Sequence, residues 1–276
     1  MTEKYMAYLE VLESGEKVIG DIYDTDVYEW VMAPFVSLLV KLAPPPVTRA
    51  SISGVLSETS PVRPSFVTFD DDFLDDLETW TALYDPAGIV LSFKDPEDAL
   101  FKPPSKVLID DYRTECFFKP CNSGVQIRRE LGTYKMIHAA GLDSQFNLCH
   151  LYGIVMDEYD FILGILLTHI DNRGCPLSTK IALKEHDDPP PEVRQRWMDQ
   201  IDAAVSGLHD AGIIWGDVKT ENVLIDQDSN AWVTDFGGGY TKGWVDKEVA
   251  ETMEGDKMGM AKLREFVFPA ASKAEQ

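Results

Sequence analysis

Four polar residues in the last third of the chain have the types and spacing to act on a phosphate group. Asp217, Lys219 and Asn222 stand at positions i, i+2 and i+5, directly before the apolar run 223–225. A second aspartate, Asp235, follows 18 residues after the first, beside glycines. Phosphoryl transfer needs a carboxylate to orient and deprotonate the attacking hydroxyl, a cation for the transferred phosphate, and oxygen ligands for magnesium. These four side chains contain each of those groups.

Apolar runs predict a β-hairpin that would bring the two ends of this set together. Residues 223–225 and 231–234 are largely apolar and enclose the turn-forming stretch 227–230. The open end of such a hairpin would place Asn222 beside Asp235, as a shared metal ion requires.

A long amphipathic helix is predicted just before the site. The prolines at 189–191 and the acidic Glu192 are typical of a helix start. Gly212 is predicted to end the helix in the left-handed conformation, and His209 is interpreted as a helix-end residue, not a catalyst. The apolar stripe of this helix consists of Val193, Trp197, Ile201, Ala204, Val205 and Leu208.

Together these features resemble the catalytic loop and the metal-binding loop of the protein kinase superfamily. The joint pattern is D-x-K-x-x-N, an apolar strand, a turn, a second strand and Asp-Phe-Gly, after a capped helix. The resemblance covers about residues 88–276 and is nearest to the divergent kinase-like proteins of fungi, which carry a similar Trp-Gly-Asp. It implies ATP and Mg²⁺ as cofactors. It also implies that Asp217 is the catalytic base, that Lys219 contacts the γ-phosphate, and that Asn222 and Asp235 bind the metal.

Two positions depart from the His-Arg-Asp that is usual in this superfamily. Trp215 stands in place of the histidine and is interpreted as structural, filling the same core space. Gly216 replaces the arginine that senses a phosphorylated activation segment, so control by such phosphorylation is not expected. The same glycine is found in small-molecule kinases such as the aminoglycoside phosphotransferases.

Three short strands are predicted over residues 88–93, 106–109 and 115–119, which suits a kinase small lobe. By resemblance, Lys119 would bind the nucleotide phosphates. Lys106 is the other candidate for this role, and the alternative for each of the two is an ordinary surface lysine on an edge strand. Glu130 would hold that lysine by an ion pair, or alternatively serve as a first-turn glutamate of the helix predicted at 125–140. The stretch 95–104 contains no glycine, so the usual glycine-rich phosphate loop is missing.

A second predicted strand pair, at 148–155 and 161–170, leads by resemblance into the hinge that binds adenine. Leu167 would control access behind the adenine ring. Thr168 to Ile170 would form the hinge, with His169 interpreted as a hinge side chain.

The resemblance implies an α+β, protein kinase-like two-lobed fold, with a β-rich small lobe and a reduced, mostly helical large lobe. We expect an N-terminal extension with a linker at 1–86, without an assigned function, a small lobe at 87–170 and a large lobe at 171–276. The large lobe is expected to be truncated, because only 41 residues follow Asp235. Asp256 leads into the last helix, predicted at 258–268, and resembles the aspartate that opens a core helix of the large lobe and holds the catalytic loop's backbone. Its alternative role is an N-cap.

Composition narrows the classes of partner. The formal net charge of -22 would repel nucleic acid and anionic lipid, so neither is expected. The apolar run 31–43 is too short to span a bilayer, and the acidic N-terminus does not resemble a targeting peptide, so a cytoplasmic protein is expected. The four cysteines show no metal-ligand spacing. The acids at 70–76 are interpreted as the solvated face of an amphipathic helix and not as a metal site.

The expected function is an ATP- and Mg²⁺-dependent phosphotransferase that acts on Ser or Thr hydroxyls of proteins; the protein substrate is not identified by the sequence. One alternative is a pseudokinase, a binding or scaffold module, because the glycine-rich loop is missing and the large lobe is short. The other is a small-molecule kinase, which Gly216 and the reduced substrate platform favour.

Overall fold

A computed structural model of the chain describes residues 18–19, 22–23, 69–91, 106–110, 113–121, 123–171, 176–182 and 189–269. The predicted linker at 51–64 and the glycine-free stretch 95–104 lie outside these residues. Strands β1 (Val18–Ile19) and β2 (Ile22–Tyr23) form an antiparallel hairpin that belongs to a separate unit. All other described residues belong to the second unit.

The second unit is built around a six-stranded sheet with the strand order β3-β7-β8-β6-β5-β4. Neighbouring strands are antiparallel, except that β3 runs parallel to β7. The three strands predicted for the small lobe are present, but the first begins only at Val90, because Pro86–Gly88 forms a 3-10 turn capped by Asp85. The strands are β3 (Ala82–Tyr84), β4 (Val90–Leu91), β5 (Lys106–Ile109), β6 (Thr114–Pro120), β7 (Leu151–Met156) and β8 (Ile162–Thr168).

Five helices accompany the strands in the described part of the chain. They are α1 (Asp71–Glu78), α2 (Gly124–Ala139), α3 (Leu177–Ala182), α4 (Pro191–Asp210) and α5 (Met253–Val267). Helix α1 confirms the interpretation of the acids at 70–76: Asp70 caps the helix by accepting from the Phe73 amide at 3.0 Å, and Leu77 is buried. Among the described residues no group of three or more His, Cys, Asp or Glu could hold a metal ion.

The predicted hairpin is present as β9 (Val223–Ile225) and β10 (Ala231–Val233), with Val223 opposite Val233. Helix α4 precedes it and ends as predicted, with Gly212 in the left-handed region at φ 75°. Because glycine carries no Cβ, it adopts this conformation without steric cost. The chain thus turns sharply from α4 toward Asp217.

The predicted start of the last helix is wrong. Helix α5 begins at Met253, five residues before the predicted position, because the Thr252 hydroxyl caps it by accepting from the Gly255 amide at 3.0 Å. Gly259 lowers the intrinsic helix preference here. It is nevertheless needed in the helix, since a Cβ at this position would lie 2.5 Å from Val218 Cβ. Close packing against the loop at 217–219 outweighs the low helix propensity of glycine at this position.

The two faces of the sheet bury different apolar clusters. One face packs on α2, and its cluster continues through α4 and the β9–β10 hairpin, joining the strand-rich and the mostly helical parts. The other face buries a smaller cluster that includes Val107, Phe118 and Leu166. Because alternate residues of a strand point to opposite faces, Lys119 lies on the α2 side of the sheet and Phe118 on the other. The architecture is α+β, as predicted.

Three of the four cysteines are described, and Cys116, Cys121 and Cys149 are free and buried. Burial raises the pKa of the Cys149 thiol to about 12, so this group is a poor nucleophile at neutral pH. No helix in the described ranges is both long and apolar enough to cross a membrane.

Candidate active site

Lys119 lies between two carboxylates that come from distant parts of the chain. Its Nζ is 2.9 Å from both carboxylate oxygens of Glu130 and 2.8 Å from Oδ1 of Asp235. The rival Lys106 instead pairs with Glu115 at 2.8 Å, at a partly exposed position on the sheet. The geometry therefore favours Lys119 over Lys106 as the lysine of this site.

Glu130 is the most deeply buried member of this group, at 1% exposure. It lies in the second turn of α2, which Ser123 caps, and not in the first turn. The alternative of a first-turn glutamate stabilised by the helix dipole is therefore excluded. Burial raises the pKa of the Glu130 carboxyl, and the neighbouring Lys119 opposes that rise. Burial also disfavours the charged lysine, but Glu130 and Asp235 outweigh it, so the pKa of Lys119 is raised and its ammonium is retained.

Asp235 occupies a backbone conformation that aspartate seldom adopts, with φ 60°. Holding a non-glycine residue in the left-handed region costs on the order of 1–3 kcal/mol and persists where the surroundings enforce it. Here the enforcing contacts are the ion pair with Lys119 and the burial of the next residue, Phe236, at 1% exposure. The Phe236 ring packs edge-on against Tyr134 of α2, with ring centroids 5.4 Å apart.

Asp217 is the centre of a second hydrogen-bonded group. Its Oδ2 accepts from Lys219 Nζ at 2.5 Å and from Asn222 Nδ2 at 3.1 Å, and its Oδ1 accepts from the Thr241 hydroxyl at 3.0 Å. Lys219 Nζ also donates to Thr241 Oγ1 at 3.2 Å. Asp217 is 8% exposed, so the carboxylate is fixed by these contacts and is not freely solvated.

Asn222 and Asp235 are the residues with which this site could hold a divalent cation. Thr234, adjacent to Asp235, donates its backbone N–H to Asn222 O at 3.0 Å, so the hairpin joins the two positions as predicted. The amide nitrogen of Asn222 donates to the backbone oxygen of Asp217 at 2.9 Å, so its amide oxygen is the atom left to offer. A carboxylate and an amide oxygen suit Mg²⁺, which completes its coordination with water and phosphate oxygens.

The loop that carries Asp217 is held by Asp256 of α5. The buried Asp256 carboxylate accepts from the backbone amides of Trp215 at 2.8 Å and Gly216 at 2.9 Å. His209 Nε2, at the end of α4, lies 2.8 Å from the same carboxylate and is a further contact of Asp256. The helix N-cap is Thr252, so the alternative role of Asp256 as N-cap is wrong.

Trp215 fills the core beneath the loop, as its structural interpretation predicted. The side chain is fully buried, and its indole N–H donates to the backbone oxygen of Thr234 at 2.9 Å. One residue thus links the loop that carries Asp217 to the segment that leads to Asp235. Gly216 has φ 86°, and a Cβ there would lie 3.3 Å from Gly238 Cα, so this position favours glycine on both grounds.

The residues predicted for a nucleotide hinge lie at the end of β8. Leu167 is 4% exposed and pairs with Phe117, on the same face of the sheet as Lys119. Thr168 is the last residue of β8, and its hydroxyl accepts from the His150 amide at 3.1 Å. Ile170 follows, at 9% exposure. Leu167 therefore shares the face that Lys119 occupies, whereas Thr168 pairs with Cys116 and lies on the opposite face.

Two contacts of the site were missed by the sequence reasoning. Thr241 hydrogen-bonds to both Asp217 and Lys219, although no local pattern distinguishes it from other threonines in the segment. Arg129, next to Glu130, forms a two-point ion pair with Glu251. The sequence gives no signal for the second contact, because the left-handed backbone of Glu251, at φ 59°, cannot be predicted from its residue type.

Comparison with known proteins identifies the same region. A family model described as protein kinase domain matches residues 120–260, which is 141 of the 276 residues. The chain is 33% identical over 116 residues to CBL-interacting protein kinase 1 of Oryza sativa subsp. japonica, covering 41% of this chain and 22% of that protein. It is 31% identical over 115 residues to serine/threonine-protein kinase ppk34 of Schizosaccharomyces pombe, covering 40% of this chain and 29% of that protein. The matched segment thus spans less than a third of either relative.

Proposed function

The chain belongs to the protein kinase superfamily, and on that premise we propose that it is an ATP- and Mg²⁺-dependent kinase that phosphorylates Ser or Thr hydroxyls of proteins. The observation that carries the proposal is the position of Lys119 between Glu130 and Asp235, at 2.8–2.9 Å from each. A partly buried cation fixed between two carboxylates, one of which can also hold a metal, is suited to bind the phosphates of a nucleotide.

The chemistry would be divided among residues of three segments. ATP with Mg²⁺ would supply the phosphoryl group and a partly neutralised leaving group. Lys119 would hold the phosphates, while Asn222 and Asp235 would provide oxygen ligands for the metal. Asp217 would orient the acceptor hydroxyl and take its proton as the new bond forms. Lys219, 2.5 Å from Asp217, would balance negative charge on the transferred group.

Serine or threonine as acceptor is supported by the name of a relative, serine/threonine-protein kinase. The hydrogen bond from Thr241 Oγ1 to Asp217 at 3.0 Å limits which lone pairs of Asp217 remain for an incoming hydroxyl, whatever the class of acceptor.

Replacing Thr241 by Val is expected to lower kcat about ten-fold, because the hydrogen bonds it makes to two charged groups orient the base. The KM for ATP should change little, since the hydroxyl contacts neither Lys119 nor Asp235. Thr241→Ser is the matched control and should retain most of the activity. Steady-state kinetics with labelled ATP measures both parameters; a Val variant with wild-type kcat would contradict the orienting role.

The most direct test of nucleotide binding is the melting temperature in ATP and Mg²⁺. At ATP about 100-fold above its dissociation constant, linkage adds about 2.7 kcal/mol to the free energy of unfolding. For a chain of this size that corresponds to a rise of roughly 5–10 °C. Asp235→Asn should abolish the magnesium-dependent part of the rise.

Asp228→Asn is the control for that test, because it makes the same chemical change at an exposed turn of the hairpin. Equal shifts in the wild type and in Asp235→Asn would refute the assignment of Asp235 as a metal ligand. No shift in the wild type would overturn the proposed function itself.

Two other functions are favoured by specific features. The absence of glycine from residues 95–104 favours a pseudokinase, which would show the ATP-dependent shift without transfer to any acceptor. Gly216 favours a small-molecule kinase. Product analysis on a panel of alcohols, sugars and Ser- or Thr-containing peptides separates that function from a protein kinase.

A further inference from the structure

Three consecutive residues of α2 are each tied to a different segment of the chain. Arg128 Nη2 donates to Asp70 Oδ2 at 3.0 Å, Arg129 pairs with Glu251, and Glu130 pairs with Lys119. Glu130 therefore directly follows two residues of α2 that are themselves joined to other segments. The partner of Arg128 lies N-terminal to the region that the family model matches, which begins at residue 120.

The segment 69–84, here called the N-terminal brace, contacts α2 mainly through apolar side chains. Phe69 and Leu77, at 9% and 2% exposure, belong to the same buried cluster as Ile127 and Leu131 of α2. The guanidinium of Arg128 lies over the ring of Phe73, 4.0 Å from its centroid, and a second ion pair joins Lys135 to Asp76. The brace thus covers one side of the helix that carries Glu130.

The end of the brace is joined to the sheet. Strand β3 pairs in parallel with β7, with Ala82 opposite Gly153 and Tyr84 opposite Val155. A Cβ at position 153 would lie 2.4 Å from the Tyr84 ring and 2.6 Å from the backbone oxygen of Ala82. Contacts below 3.0 Å force a displacement, so the glycine at 153 leaves room for β3 to dock.

We propose that the brace is a positioning element of the active site: it holds α2 where Glu130 stays paired with Lys119. This inference rests on the proposed function in one respect, namely that the Lys119–Glu130 pair serves ATP. Its structural part, the dependence of the ion pair on the brace, can be tested without any nucleotide. The active unit would then begin at about residue 69, and not where the family model begins.

The apolar contacts of the brace should hold α2 in place more strongly than its ion pairs do. The Asp70 and Arg128 side chains are 64% and 45% exposed, and exposed ion pairs change an equilibrium by less than about five-fold. Loss of a buried leucine side chain changes a folding or docking equilibrium by about thirty-fold or more. Leu77→Ala and Gly153→Ala should therefore release α2 more than Asp70→Asn combined with Asp76→Asn. Asn at position 70 retains the helix cap, so this milder variant loses charge without losing α1.

The experiment measures the acetylation rate of Lys119 by acetic anhydride in the full chain, followed by mass spectrometry. The Glu130 carboxylate, 2.9 Å from the lysine nitrogen, shields that nitrogen from the reagent, so release of α2 should speed the reaction. We expect an increase of about two- to five-fold for Asp70→Asn/Asp76→Asn, and of about ten-fold or more for Leu77→Ala and Gly153→Ala. Asp72→Asn/Asp75→Asn is the matched control, with the same charge change at exposed positions of α1.

A double-mutant comparison separates positioning from a general loss of stability. In a Glu130→Gln background the carboxylate is already gone, so Leu77→Ala should add little to the Lys119 rate. The brace proposal would be overturned if Leu77→Ala and Glu130→Gln had additive effects on the acetylation rate of Lys119. It would also be overturned if folded Leu77→Ala and Gly153→Ala variants were acetylated at the wild-type rate. Both outcomes are independent of ATP: failure of the wild type to bind MgATP would refute the proposed function but leave this result standing.

Discussion

Asp217→Asn is expected to reduce phosphotransfer by about 10²–10⁴-fold while MgATP binding stays close to that of the wild type. The carboxamide has nearly the same shape. With its oxygen at the Oδ2 position it still accepts from Lys219 and from the Asn222 amide, and its nitrogen at the Oδ1 position can donate to the Thr241 hydroxyl oxygen. What it lacks is the ability to accept a proton from the acceptor hydroxyl. Asp217 contacts neither Lys119 nor Asp235 directly, and Asn222 keeps its hydrogen bond to the backbone oxygen of Asp217 at 2.9 Å, so the phosphate and metal positions should remain intact.

The measurement is single-turnover transfer from labelled ATP, with autophosphorylation and a panel of Ser- and Thr-containing peptides as acceptors. Asp246→Asn, an exposed aspartate outside the hydrogen-bonded group, serves as the control and should transfer at the wild-type rate. Transfer by Asp217→Asn within a factor of about two of the wild type would show that another group, or no group, acts as the base. The thermal shift in MgATP, measured on the same samples, verifies that the substitution has not removed nucleotide binding.

Asp256→Ala should cause the largest loss of stability among single substitutions near the site. The carboxylate is 2% exposed and accepts two backbone amides, those of Trp215 and Gly216. Removing it leaves both donors buried without this acceptor, and each such group costs about 1–3 kcal/mol. We therefore expect a decrease of roughly 3–5 kcal/mol in the free energy of unfolding, together with disorder of the loop that positions Asp217.

Urea denaturation of the wild type and of Asp256→Ala measures this loss, and Asp256→Asn, which keeps one acceptor oxygen, should lie between them. Glu254→Gln is the matched control, since Glu254 is an exposed acid in the first turn of the same helix. A loss below about 1 kcal/mol for the alanine variant would mean that the loop finds other acceptors. That result would contradict the supporting role assigned to α5.

The parts of the fold that local patterns encode were predicted from the sequence. The β9–β10 hairpin follows from two apolar runs around a turn, and α4 follows from its proline start, its stripe and Gly212. The juxtaposition of Asn222 and Asp235 is a geometric consequence of that hairpin. The family resemblance rested on the same local segment, and the kinase domain match at 120–260 includes it.

The parts that depend on distant contacts were not predictable in the same way. Lys119 and Lys106 have similar strand contexts, and only the approach of Glu130 and Asp235 distinguishes them. Thr241 gains its role from a loop that returns to Asp217, 24 residues away. The start of α5 at Met253 depends on the cap that the Thr252 hydroxyl provides to the Gly255 amide at 3.0 Å, a contact that the apolar pattern did not indicate.

Strand β3 also determines what the edge of the sheet presents to other molecules. Without it, the six residues of β7 would form the outer strand, with a row of unpaired backbone donors and acceptors. Such an edge is a template for pairing with a strand of another chain, and short edge strands limit that risk. With β3 in place the outer strand has only three residues. The same segment that contacts α2 thereby protects the sheet from edge-to-edge aggregation, which ties colloidal solubility to the N-terminal part of the chain.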